Sequence, residues 1–354
     1  MNEISIDGRK IGGKNRCFVI AEAGSNFRIS ANEKKNFRQA LRLIDIAAEA
    51  GADAVKFQLY RAKKLYVADA GRADYLKQKK PINSIIREME LPFEWIPRLG
   101  KYCKKKGIVF LCTPFDTEAV DELEKAGISA YKVGSYAISH LPLIKYIARK
   151  AKPVILSCGA SDYGKIKKAI GTIKSSGNSR IVLMQCTTKY PTPLSAINLR
   201  SIPYLSKKFR VIAGLSDHSR EPLIAPLGAV ALGAKAIEKH FTTDNSLPGP
   251  DHKFAVLPDE LKEMVSGIRK LEEAMGKTGK QILDEEKELF NFCDLGIFAI
   301  KKIHSGEIFS EGNIAVLRPG KNKKGLAPEF FDEVIGKKAK KNIGKNQPLK
   351  RTDF

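Results

Sequence analysis

Two of the chain's five histidines, His218 and His240, close short apolar runs, VIAGLSDH (Val211–His218) and AKAIEKHF (Ala234–Phe241), and a third, His252, follows in the next loop. Neutral imidazoles on neighbouring strands can ligate one divalent cation and leave its other positions to water and a substrate oxygen, as in an open catalytic metal site. Histidines merely hydrogen-bonded in a polar mouth would show the same spacing, which is not a helix-encoded HExxH pattern, so spacing alone leaves both readings open. Other apolar runs end in cations and hydroxyls: Lys56 and Lys132, with Ser135, Ser157, Thr188 and Ser216. Such donors can hold a phosphate or carboxylate through charge-assisted hydrogen bonds. A buried lysine can also act as a Schiff-base nucleophile, or simply pair with Glu22 or Glu238. Two lysines among several hydroxyls favour a small anionic substrate, and the chemistry indicated is a metal-assisted reaction of a phosphorylated or carboxylated metabolite.

The elements that must position these groups are eight apolar, β-branched runs: FVIAEAG (18–24), DAVKFQ (53–58), IVFLCT (108–113), AYKVGS (130–135), PVILSCG (153–159), RIVLMQCTT (180–188) and the two histidine-bearing runs. Between them lie amphipathic stretches of helical length, among them 38–50, 116–126, 141–150, 163–175 and 222–232. Alternating strand and helix predicts parallel strands with helical crossovers. Eight such units close a (β/α)8 TIM barrel, whose active sites lie at the C-terminal strand ends. Glu22, Lys56, Gln58, Thr113, Lys132, Ser135, Ser157, Thr188, His218 and His240 should then share one mouth. Residues 1–280 are assigned to the barrel, opened by a hairpin in ISIDGRKIGGKN that turns at its Gly-Gly pair and plugs the barrel bottom. The long interval 59–107 contains a polar section, 66–80, expected to serve as a functional loop over the mouth. Residues 281–295 are read as a linker and 296–354 as a small β-rich domain with tight turns.

The formal charge is +23. It comes largely from scattered lysines without zinc-finger spacing or interleaved aromatics, so nucleic acid is not the expected partner. The six cysteines form no CxxC, which argues against disulfides and cysteine-ligated zinc. No apolar stretch reaches the roughly 20 residues of a membrane span. A cytoplasmic protein without a membrane partner is expected.

Several motifs together resemble the sialic acid synthase family: IAEAGSN (20–26), ADAVKFQ (52–58), YKVGS (131–135), QCTTKYPTP (185–193), GLSDHS (214–219), IEKHFT (237–242) and PGPDH (248–252). The tail, IFAIKKIHSGEIF followed by LRPG (317–320), resembles that family's small antifreeze-like SAF domain, a β-clip fold. The resemblance implies condensation of phosphoenolpyruvate with an N-acetylmannosamine-type sugar, free or 6-phosphorylated, to a 2-keto-3-deoxy nonulosonic acid plus phosphate. It implies a divalent metal on His218 and His240, Mn2+ first, with Mg2+ or Co2+ as alternatives. Lys56, Gln58, Thr113, Lys132, Ser135, Ser157, Thr188 and Ser216 would hold phosphoenolpyruvate. Glu22, Asn26, Tyr190, Asp251 and Arg318 would hold the sugar, and Glu22, Lys56, Lys132, His218 and His240 would form the catalytic group. Arg318 would arrive from the antifreeze-like domain of a second copy, making a domain-swapped homodimer.

Three positions depart from that family's pattern. Ala137 stands where an acid is usual and Phe27 where a histidine follows the asparagine, both changes expected in the sugar pocket, while Thr188 replaces asparagine or serine. A metal-dependent class II pyruvate aldolase or lyase, and a disabled sugar- or polyanion-binding relative, are the alternatives.

Overall fold

The computed structural model describes residues 3–72 and 80–354. Contacts divide it into two compact units, residues 1–276 and 277–354. The first opens with an antiparallel hairpin, β1 (Glu3–Ile6) and β2 (Arg9–Gly12). Its turn falls at Asp7-Gly8, not at the expected Gly-Gly pair. Both turn residues have positive φ, 48° and 77°, and Asp-Gly favours the two-residue turn whose twist matches the flanking strands. Gly12 instead ends β2, and Gly13 lies in the turn that follows. Ile4, Ile6 and Ile11 of the hairpin pack against Phe18, Ile20 and Val109 inside the barrel.

Eight strands form the barrel: β3 (Phe18–Gly24), β4 (Ala54–Leu59), β5 (Val109–Pro114), β6 (Tyr131–Val133), β7 (Val154–Ser157), β8 (Ile181–Cys186), β9 (Ile212–Asp217) and β10 (Ala236–His240). Their hydrogen-bonded order, β5-β4-β3-β10-β9-β8-β7-β6, is parallel throughout. β5 and β6 lie side by side and complete the ring. Helices at Glu33–Glu49, Thr117–Lys125, Leu141–Arg149, Tyr163–Ser175, Ile224–Ala231 and Pro258–Ala274 fill the expected crossovers. Asn32, Asp116 and Asp162 start three of them, each accepting a hydrogen bond from the amide three residues on. A further helix, Ser201–Phe209, has Pro203 in its first turn, where proline is tolerated. That proline breaks the periodic pattern, which is why only Ile202 and Leu205 betray the buried face.

Period-two alternation divides every strand. On β3, Val19, Ala21 and Ala23 face the helices, while Phe18 and Ile20 fill the barrel interior with Ala54, Leu111, Ile155, Met184 and Ala236. Two residues further along each strand, the inward set changes from apolar to polar: Glu22, Lys56, Thr113, Lys132, Ser157 and Glu238. The lower layer is solid core, and the upper layer is the site.

The second unit pairs β11 (Gly296–Ala299) with β12 (Ile314–Leu317) and adds isolated bridges at Phe298–Pro348, Ile303–Ile343 and Ile308–Lys338. Its own core includes Ile297, Ile303, Phe309, Ile314, Val334, Ile343 and Leu349. No helix among the described residues is long and apolar enough to cross a membrane.

Candidate active site

The strand ends open into a cavity of about 850 Å³ lined by Glu22, Lys56, Gln58, Thr113, Lys132, Ser135, Ser157, Ser216, His218, Glu238 and His240. Tyr190 and Asp251 reach it from loops. Leu65, Tyr66, Ile86 and Met89 show that both flanks of the long β4–β5 interval line the mouth, while residues 73–79 of the expected loop lie outside the described residues.

The register explains the convergence. Glu22 sits beside Lys56 on β4 and His240 on β10, Gln58 beside Thr113, and Ser216 beside Glu238. Lys56 Nζ lies 2.7 Å from Glu22 Oε2 and 3.6 Å from Glu238 Oε2, and donates to Thr113 Oγ1 at 3.2 Å. Lys132 Nζ lies 3.5 Å from Glu238 Oε1 and donates to Ser157 Oγ at 2.7 Å. Ser216 Oγ donates to Glu238 at 2.9 Å, and Gln58 Nε2 to Glu22 at 2.8 Å. Two lysines and two carboxylates are thus buried together. Burying ion pairs in this way is poor value for stability, because desolvation cancels much of the attraction, and it points to function.

The two carboxyls are pushed apart in acidity. Burial and the nearby charge of Glu238 raise Glu22 despite Lys56. Burial of Glu238 is outweighed by Lys132, Lys56 and the Ser216 hydroxyl, which hold it down at about 2. Glu22 is therefore the group able to carry a proton, and Glu238 is a fixed anion that keeps both lysines in place. Glu238 is the functional residue that the sequence reading treated only as a structural partner, although IEKH places it on the same strand face as His240.

The imidazole rings of His218 and His240 have centroids 5.3 Å apart at 72°. Metal–nitrogen bonds of roughly 2 Å would let both rings meet one ion at that separation. His218 Nδ1 lies 2.9 Å from the Thr187 carbonyl, so a proton on Nδ1 leaves Nε2 as acceptor. His240 Nδ1 is buried without a hydrogen-bond partner, and burial above all holds this ring neutral, well below its ordinary range. A buried, neutral, unpartnered imidazole fits a ligand. No cluster of three or more His, Cys, Asp and Glu suited to a metal exists among the described residues, so water and substrate oxygens would complete the shell. Cys186 lines the same cavity with Sγ 3.8 Å from His218 Nδ1.

Other expected residues lie elsewhere. Asn26 is buried, with Nδ2 donating to the Phe241 carbonyl at 2.8 Å, and ties β3 to the chain after β10 without lining the cavity. Thr188 also stands off the lining. It packs beside Gly159, where a Cβ would fall 2.6 Å from Thr188 Cγ2 and 2.9 Å from Ser135 Oγ. Arg318 is an exposed residue of the second unit, just after β12. Phe27, expected in the sugar pocket, is in the hydrophobic core, 6.2 Å from the Phe57 ring and 5.8 Å from Trp95. Ala137 likewise faces the core, leaving its neighbour Tyr136 on the cavity. Neither departure alters the cavity wall directly.

The loop carrying Asp251 is latched from behind. His252, fully buried, pairs Nδ1 with Thr242 Oγ1 at 2.6 Å, and Asn245 Nδ2 donates to the His252 and Ala255 carbonyls at 2.6 and 2.8 Å. Burial lowers His252 to about 4, with Asp244 opposing. Between that value and the unfolded 6.5, the unfolded chain binds more protons, so stability falls as pH drops through the window. The group's share is on the order of 3 kcal/mol. Urea unfolding from pH 7 to 4 should show this slope flattened in His252→Asn, and parallel curves for the two proteins would refute the assignment.

A closed parallel barrel with a buried lysine–carboxylate array and paired imidazoles at its strand ends defines a (β/α)8 enzyme. The NeuB family model matches residues 43–280 and the SAF domain model residues 296–354. The chain is 44% identical over 347 residues to the spore coat polysaccharide biosynthesis protein SpsE of Bacillus subtilis, covering 94% of this chain and 91% of that protein. It is 39% identical over 341 residues to the N,N'-diacetyllegionaminic acid synthase of Campylobacter jejuni, covering 95% and 99%. Among solved structures, the N-acetylneuraminic acid synthetase of Leptospira borgpetersenii, in complex with citrate, superposes with a TM-score of 0.73 at 31% identity, covering 82% of this chain and 96% of that one. The chain belongs to the NeuB family of sialic-acid-type synthases.

Proposed function

We propose that this enzyme condenses phosphoenolpyruvate with the open-chain aldehyde of an N-acylated amino sugar, giving a nine-carbon 2-keto-3-deoxy acid and inorganic phosphate. The observation that carries the reading is the Lys56–Glu22–Glu238–Lys132 array ringed by Thr113, Ser135, Ser157 and Ser216. It offers the cations and hydroxyl donors that a trianion needs, prearranged before substrate arrives.

In this reading the lysines and hydroxyls hold the carboxylate and phosphate so that C3 of phosphoenolpyruvate faces the aldehyde carbon. The C3–aldehyde bond forms, the aldehyde oxygen gains a proton, water adds at C2, and the C2–O bond to phosphate breaks. Glu22, whose carboxyl is raised, is the proton donor at the aldehyde oxygen or the acceptor from water. Asp251 and Tyr190 orient sugar hydroxyls. His218 and His240 would hold a divalent cation, for which Mn2+ is preferred, and its chemistry is polarisation of the aldehyde carbonyl. Arg318 of a second copy would meet the sugar's acyl group in a homodimer.

Orthophosphate release from phosphoenolpyruvate should require an N-acetylmannosamine-type sugar, with a product mass equal to sugar plus pyruvate. Condensation with free pyruvate and no phosphate release would establish an aldolase instead. Sugar binding without turnover would establish a disabled relative.

A further inference from the structure

We infer that Lys239 and Asp217 are positioning residues for the paired imidazoles, a buried latch on the outer face of β9 and β10 that sets where His218 and His240 stand. The inference deepens the synthase reading and rests on it, because the latch matters to the reaction only if the two histidines take a cation. Asp217 immediately precedes His218, and Lys239 immediately precedes His240. The two are register partners across β9 and β10. Strand alternation turns them away from the cavity, while the histidines that follow them line it. Their side chains meet at 2.6 Å on the helix side, each only 1% exposed.

The ammonium is fully satisfied. Lys239 Nζ donates to Asp217 Oδ2 at 2.6 Å, to the Ser219 carbonyl at 2.6 Å and to the Glu221 carbonyl at 2.8 Å, so each of its three hydrogens has an acceptor. Asp217 Oδ1 accepts from the Ser219 amide at 2.8 Å, and Oδ2 from the Ser219 hydroxyl at 3.1 Å. The chain leaving His218 is therefore pinned, at Ser219 and Glu221, to the residue beside His240. The Glu221 carboxylate carries the constraint onward by accepting from the Leu223 amide, just before the helix Ile224–Ala231.

His218 has a second restraint, because its Nδ1 lies 2.9 Å from the Thr187 carbonyl. His240 lacks one of that kind: among the described residues no hydrogen bond reaches its Nδ1. Its ring is placed by its own backbone and by packing against Phe254 and Tyr190, so the register fixed at Lys239 decides where it points. Stability alone does not account for the pair, since burying an ammonium with a carboxylate gains little over apolar side chains of similar volume. What the directional bonds add is fixed geometry. Loss of a group that orients a metal ligand costs about 10- to 100-fold in affinity.

The test follows Mn2+ binding to the full-length protein through the electron paramagnetic resonance signal of the free ion, a readout that needs no turnover. Lys239→Met should weaken Mn2+ binding by about 10- to 100-fold. At saturating Mn2+ its KM for phosphoenolpyruvate, which the synthase reading places on other strands, should stay near the parent value. Because that variant leaves the Asp217 carboxylate buried without its counter-charge, Lys239→Met with Asp217→Asn is measured beside it. The double variant is neutral, retains an acceptor for the Ser219 amide, and should fold and show the same loss. Arg269→Met breaks the pair with buried Asp53 at the far end of the barrel and should lose stability yet keep its Mn2+ affinity. Parent-like Mn2+ affinity in the folded double variant, or an equal loss in Arg269→Met, overturns the inference and leaves the synthase reading intact. A parent that binds no Mn2+ sinks the cation site and the inference together, while phosphate release from phosphoenolpyruvate still tests the synthase reading by itself.

Discussion

Lys56→Met should lose at least 100-fold to 1,000-fold in kcat/KM for phosphoenolpyruvate and should also unfold more easily at neutral pH. Among the described residues Lys56 is the one cation within 4 Å of both buried carboxylates, 2.7 Å from Glu22 and 3.6 Å from Glu238, and all three side chains are almost wholly removed from solvent. Truncating one member of such a set leaves buried charge uncompensated, a loss of about 3–5 kcal/mol in comparable cases. Glu22 can relieve part of it by taking a proton, since burial and Glu238 already raise its pKa. The destabilisation should therefore be largest at neutral pH and shrink toward pH 4, as Glu22 of the variant takes up its proton. The double variant Lys56→Met with Glu238→Gln should recover much of the stability, because the surplus charge is gone, but none of the activity. That split separates a positioning anion from a catalytic cation. A single variant whose kcat/KM stays within 10-fold of the parent would rule out Lys56 as a contact of phosphoenolpyruvate.

The same array shows what the sequence made legible. Strand faces repeat every two residues, so a run such as AIEKH tells its own story: Ala236 in the interior layer, Glu238 and His240 above it, and Lys239 outside, where it meets Asp217 at 2.6 Å. The eight strands and the inward polar tips were readable for that reason. Phe27 and Asn26 follow β3 in a tight turn, Asn26 N bonding to the Ala23 carbonyl, and beyond a strand's end the alternation no longer tells which side chain faces the mouth. Hence a phenylalanine expected against sugar is found against Trp95, and an amide expected in the pocket ties off a backbone carbonyl instead. Ala137 lies in a short 3-10 turn, where alternation again fails. The Cys186–His218 pair was hidden for a different cause. It joins residues 32 positions apart on neighbouring strands, and only the three-dimensional register brings them together.

His240→Ala should behave in the opposite way from Lys56→Met on stability while matching it on activity. Its Nδ1 is buried with no hydrogen-bond partner, its ring is neutral, and its neighbours are the Phe254 ring at 5.1 Å and the Asp251 carboxyl at 3.7 Å. Removing it strands no partner and creates no uncompensated charge, so the midpoint of urea unfolding should move little in the metal-free protein. Turnover should fall by about 1,000-fold, the scale of losing several kcal/mol of charge stabilisation at a carbonyl oxygen. The parent, treated with a chelator, should fall to the same floor and recover on addition of Mn2+, whereas the variant should neither fall further nor recover. Thermal unfolding adds a readout independent of catalysis: Mn2+ should raise the midpoint of the parent, because an ion that binds only the folded state stabilises it, and should leave the variant unmoved. A variant that keeps both its Mn2+ shift and its activity would mean that the cation, if the enzyme uses one, is held elsewhere than between the imidazoles of His218 and His240.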